Sequence, residues 1–156
     1  MGTLFQALEP ETGFQLNLMK KAGYDVIALG NHDFDFGPVG YHSVPMGPDD
    51  DPLGVIKQRI AEASFPFLGA NIVDRELGKR PRWKNLRSYT LLRRLGITVG
   101  VIGLTNVDTG LTTHPANVRT LEFRPLLPTL QRLIPKVRAR GASVIIVLVH
   151  AGARPG

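Results

Sequence analysis

An α/β fold is what this sequence predicts, and three observations carry it. Amphipathic stretches with helical spacing alternate with short apolar runs bounded by glycine, the pattern of helices packed on buried strands. Two of those runs end abruptly in polar residues, Gly30-Asn31-His32-Asp33 and His150-Ala151-Gly152. Ligands bind at such places, beyond the carboxyl ends of strands in open α/β sheets. The chain has 156 residues, 43% of them hydrophobic, which suffices for one domain with its own core.

The elements follow in order. Residues 12–22 read as a helix with Phe14, Leu16, Leu18 and Met19 as its apolar positions and Gly23 as its stop. Residues 24–29 (YDVIAL) are a buried strand between glycines. The polar segment GNHDFDFG follows, and then a Pro- and Gly-rich loop over 38–51. Asp51 is placed to cap a helix with Pro52 in its first turn, and Leu53, Ile56, Ile60 and Ala63 share one face of it. Residues 66–72 (PFLGANI) predict the next strand, and 74–87 a basic, exposed, turn-rich segment. Residues 89–95 and 97–104 predict a hairpin closing near Gly96, followed by a loop over 105–119. Leu126, Leu127, Leu130, Leu133, Ile134 and Val137 keep helical spacing, with Pro128 in a first turn and Pro135 expected to kink the helix. Residues 143–149 (SVIIVLV) form the most apolar strand, which runs directly into His150.

Composition excludes several classes. Cysteine is absent, so there is no disulfide framework, thiol nucleophile or thiolate metal site. No apolar run reaches the roughly 18 residues of a membrane span, and Met1-Gly2-Thr3-Leu4-Phe5 lacks the basic start of a signal peptide. The net charge of +6 is uneven: residues 1–74 hold 4 basic and 10 acidic side chains, residues 75–156 hold 15 and 3. That imbalance invites a nucleic-acid reading. The arginines are nevertheless spread over several elements, with no aromatic platform or reading helix, so a solvated surface and no nucleic-acid partner are expected.

The chemistry concentrates at the two polar strand ends. Taken alone, His150 reads as a core-edge imidazole bonded to a backbone carbonyl, and Asn31 to Asp35 as a turn that caps itself. Together they offer more. An amide oxygen (Asn31) is a hard neutral ligand for a divalent cation, and a strand-end imidazole (His150) is a well-directed one. The imidazole of His32 suits protonation of a leaving group or stabilisation of charge. Asp35, three residues on, is spaced to orient His32, whereas Asp33 adjoins it and should point away.

The segment GYDVIALGNHDFDFG closely resembles the GNH[DE] block of the calcineurin-like metallophosphoesterases, and more narrowly of their 5'-nucleotidase branch. FPFLGANI, VGVIGLT and VLVHAG match further blocks in the family's order. The resemblance implies a layered αββα fold for residues 1–156. It implies that Asn31 and His150 ligate the second cation of a two-metal centre, and that His32, partnered by Asp35, is the catalytic histidine facing the leaving-group oxygen. The implied cofactors are two divalent cations such as Mn, Zn, Co or Mg. The implied reaction is release of phosphate from nucleotides or related phosphoesters by a water that the two metals activate.

The family's D-x-H and G-D blocks, its later G-H-x-H block and its nucleoside-binding domain are not found in these 156 residues. The chain therefore resembles a central portion of the catalytic domain. Two neutral ligands should hold cations poorly. The alternative is a catalytically inactive fragment serving only as a structural or partner-binding module. Cut edges, including the face of Val144, Ile146 and Leu148, should favour self-association. Complete relatives are often periplasmic or extracellular, which leaves the compartment of this chain open.

Overall fold

The computed structural model describes residues 13–152; Thr12 and the Met1–Phe5 stretch lie outside them. Helix α1 (Phe14–Lys21) turns Leu16 and Met19 to the core and leaves Phe14 and Leu18 exposed. Gly23, at φ +79°, follows its end, as the sequence predicts. Strand β1 (Ile27–Ala28) is shorter than expected and leads into a single 3-10 turn over Asn31–Phe34. Helix α2 (Gly54–Glu62) starts later than predicted, because Asp51 accepts from the Leu53 N–H and so closes a turn ahead of the helix. Its residues Ile56 and Ile60, with Leu53 just before it, pack as the spacing predicts.

The expected strand over 66–72 is two strands in different sheets. Strand β2 (Phe67–Leu68) stops, the chain bends through Gly69, Ala70 and Asn71, and β3 (Ile72–Asp74) begins. Asn71 holds the bend with its side chain, through hydrogen bonds to Thr105 and Arg124. A Cβ on Gly69 would come within 2.6 Å of the Ile72 side chain, so the bend also needs that glycine. Within the segment predicted to be exposed lies β4 (Leu86–Arg87), whose Leu86 is buried.

Strands β5 (Tyr89–Arg94) and β6 (Ile97–Thr105) form the predicted hairpin. Leu95 and Gly96 both have positive φ, as a two-residue hairpin turn that follows the sheet's twist requires. The expected loop over 105–119 contains two single-turn helices, α3 (Thr109–Thr112) and α4 (Pro115–Val118). A short strand, β7 (Leu121–Phe123), leads to α5 (Leu126–Ala139), which runs as one helix through Pro135. Strand β8 (Val144–His150) completes the described chain.

Among the described residues three sheets result: β1-β2-β4, all parallel; β5-β6-β8, with β6 and β8 parallel; and an antiparallel β3-β7 pair. Ile27 and Phe67 face α1 and α2 in one core, while Ile102 and Leu104 face Leu133 and Val137 of α5 in another. The two larger sheets meet at Gly103, where an added Cβ would lie 2.3 Å from the Leu68 Cβ and 3.2 Å from the Ala28 Cβ. The order helix, sheet, sheet, helix is the expected αββα layering. Among the described residues no helix is long and apolar enough to cross a membrane.

Candidate functional site

The site forms where strands of both sheets end. Strand β8 pairs with β6 so that His150 lies opposite Thr105. Ile145 and Val147 pack toward α5, so the alternation of the strand turns His150 to the face shared with β1. The Thr105 hydroxyl donates to the Leu29 carbonyl at 2.9 Å, clasping the end of β6 to the end of β1. Gly30 then passes so close to His150 that a Cβ there would lie 2.9 Å from the ring Nδ1.

Asn31 and His150, 119 positions apart, consequently meet: the His150 Nε2 stands 2.9 Å from the Asn31 Oδ1. Two donors held at about 2.1 Å from one cation at a right angle stand about 3.0 Å apart, so the spacing suits a shared ion. The pair is partnered to itself by a hydrogen bond that a cation would replace. The amide is oriented by its other end, since Asn31 Nδ2 donates to the Thr112 carbonyl at 3.2 Å.

His32 follows on the same turn, and its Nδ1 lies 2.6 Å from Asp35 Oδ2. An ionised carboxylate only accepts, so Nδ1 carries the proton in this contact and Nε2 is left for a ligand. The other oxygen, Asp35 Oδ1, accepts from the Thr113 hydroxyl at 2.5 Å. Asp33 serves the backbone instead, since its Oδ2 accepts from the Gly30 N–H at 2.7 Å and closes the turn. The buried Phe34 ring packs edge-on against Phe123, which fixes the turn on β7. Asn117 Nδ2 adds donations to the Phe34 and Ser43 carbonyls. A cavity of about 330 Å³ opens beside this turn, with Gly30, His32, Asp33, Arg59 and His150 in its wall.

The arrangement offers one amide oxygen, one imidazole nitrogen and an oriented second imidazole. No group of three or more His, Cys, Asp or Glu suited to a metal occurs among the described residues. The donor set therefore fits part of a divalent-cation site and carries no negative charge of its own. The sequence reading missed Gly30 as a close-approach position and both threonines. Gly30 was visible in principle, as a glycine between a strand and a polar turn; Thr112 and Thr113 carry no local signal.

No family model matches the chain. The 5'-nucleotidase of Vibrio vulnificus is 32% identical over 135 residues, covering 86% of this chain and 21% of that protein. The crystal structure of a 5'-nucleotidase precursor from Thermus thermophilus superposes with a TM-score of 0.74 at 28% identity, over 95% of this chain and 25% of that one. A calcineurin-like phosphoesterase from Bacillus subtilis, YfkN, shares the fold with a TM-score of 0.67 at 23% identity, over 89% of this chain and 38% of that one. The chain thus spans about a fifth of the length of the curated relatives it matches. It is a homologue of one segment of the 5'-nucleotidases, and its fold is that of the calcineurin-like phosphoesterases.

Proposed function

We propose that this chain is a portion of the catalytic domain of a divalent-cation-dependent phosphoester hydrolase of the 5'-nucleotidase type. One observation carries the reading: Asn31 and His150 converge to 2.9 Å beside the oriented His32–Asp35 pair, at the ends of strands from two sheets. Asn31 Oδ1 and His150 Nε2 would hold one cation, whose chemistry is the Lewis acidity that activates water and offsets phosphoryl charge. Asp35 keeps the proton on His32 Nδ1, so the Nε2 of His32 faces outward. Protonated at Nε2 as well, the ring donates to the leaving oxygen and offsets the charge that develops there. A nucleotide is the proposed substrate, because relatives named 5'-nucleotidase cover most of this chain.

That no three or more His, Cys, Asp or Glu side chains gather into a metal-type group among the described residues favours a second reading for the chain alone, that of an inactive module. A graft separates the two. The homologous 135-residue segment of the Vibrio vulnificus 5'-nucleotidase is replaced by that of this chain. The graft should release phosphate from a nucleoside monophosphate, stop on chelation, and lose far more turnover than bound cation in His32→Ala. The isolated chain should show negligible turnover. A folded, cation-loaded graft without hydrolysis would overturn the first reading in favour of the second.

A further inference from the structure

We infer that Thr113 is a positioning residue for the His32–Asp35 pair, and that Thr112 beside it sets the amide of Asn31, so one dipeptide orients both halves of the site. The inference rests on the proposed function. An aspartate bonded through one oxygen can still rotate about its side chain. Asp35 is held at both: Oδ2 by His32 Nδ1 at 2.6 Å and Oδ1 by the Thr113 hydroxyl at 2.5 Å. The imidazole is then fixed in plane and in tautomer, with Nδ1 as donor.

The neighbouring residue acts through its backbone. The Thr112 carbonyl can only accept, so it takes the Nδ2 end of Asn31 and leaves Oδ1 facing His150. A flipped amide would set its oxygen against the carbonyl and lose that donation.

The dipeptide is itself anchored. The Thr113 N–H donates to the Thr109 carbonyl, and the fully buried Thr109 donates its hydroxyl to the Asn106 carbonyl, one residue beyond β6. The positioning groups are thus tied to the same strand that pairs with β8 and clasps β1. Thr113 and Asp35 are 78 positions apart, so no local turn accounts for their contact.

Nitrogen-detected NMR of the His32 ring in the full 156-residue chain tests this without catalysis. Wild type should show the Nδ1–H tautomer. Thr113→Val, which keeps shape and removes the hydroxyl, should give a tautomer mixture; Thr113→Ser should restore the wild-type pattern. The unfolding midpoint of each variant controls for a merely structural effect. An unchanged tautomer in a folded Thr113→Val variant would overturn the inference, as would failure of serine to restore it. In the graft, Thr113→Val should lower kcat about tenfold with KM held, the scale of losses when outer-shell partners are removed. Unchanged kcat in an active graft would overturn the positioning role alone. A wild-type graft without turnover would overturn the functional reading, whatever the tautomer shows.

Discussion

Replacing Asn71 by alanine should be among the most costly single changes in this chain. The side chain is 1% exposed and makes three hydrogen bonds to backbone groups. Nδ2 donates to the Thr105 carbonyl at 2.8 Å and to the Arg124 carbonyl at 3.0 Å, and Oδ1 accepts from the Thr105 N–H at 2.9 Å. Alanine removes one side of each bond and leaves the other in place. A buried backbone group stranded in this way costs about 1–3 kcal/mol, and both Thr105 contacts are fully buried. The half-buried Arg124 contact adds about 1 kcal/mol, for a total of about 3–7 kcal/mol. A domain of this size is stable by only about 5–15 kcal/mol, so the loss is a large share. Urea unfolding followed by far-ultraviolet circular dichroism measures it: the midpoint should fall with the slope unchanged. A loss below about 1 kcal/mol, the worth of one ordinary hydrogen bond, would refute the claim that Asn71 holds the bend between β2 and β3.

Further outcomes follow from the same geometry. Gly30→Ala should swing the His150 ring off Asn31 at little cost in stability, because His150 is exposed and can yield; Mn²⁺-induced broadening at Asn31 and His150 should weaken together, and unaltered broadening would refute this. The Met46 and Gly47 N–H groups donate to Asp50 and hold its carboxyl below the usual carboxylate range. A lowered folded-state value means the loop gains order above the ordinary carboxylate range and loses it as pH falls through the lowered value. The Met46 amide shift, followed by NMR titration, should report that midpoint, and Asp50→Asn should abolish it. Val144 and Ile146 are 44% and 46% exposed on β8, which has no partner on its outer side among the described residues. Sedimentation at micromolar concentration should show self-association that Ile146→Lys reverses, and a clean wild-type monomer would refute that expectation.

Much of this fold was legible because apolar periodicity reports local faces. The β5-β6 hairpin, the burial of Ile56 and Ile60, and the run of β8 into His150 all follow from residues that see near neighbours. The proximity of Asn31 to His150 was legible for another reason, since both end apolar runs and the carboxyl edge of a sheet collects such ends. What stayed hidden depends on distant partners. Nothing local marks Asn71 as a residue that ends one strand and starts another; its bonds reach 34 and 53 positions along the chain. The short helices α3 and α4 are likewise held from outside, through the Thr112 carbonyl that accepts from Asn31 and through Asn117 bonded to Phe34 and Ser43. Composition around residues 109–118 signals only a loop.

The two ligand-type side chains come from different sheets, so their spacing is a property of how those sheets pack. Gly103 lets the layers approach, the Thr105 hydroxyl clasps the strand ends, and Gly30 admits the His150 ring. All three bear on the Asn31–His150 distance, and a coordination sphere tolerates deviations of only about 0.2 Å. The nearby carboxylates are engaged in the same positioning. Asp33 closes the turn on Gly30, and Asp35 is shared between His32 and Thr113. The chain therefore uses these acidic groups for orientation and presents neutral donors to the ligand. Cation affinity from these residues alone should be weak, whereas the placement of an ion brought by additional carboxylates would be well defined. That division between position and charge lets a binding geometry be assembled from donors that carry no negative charge of their own.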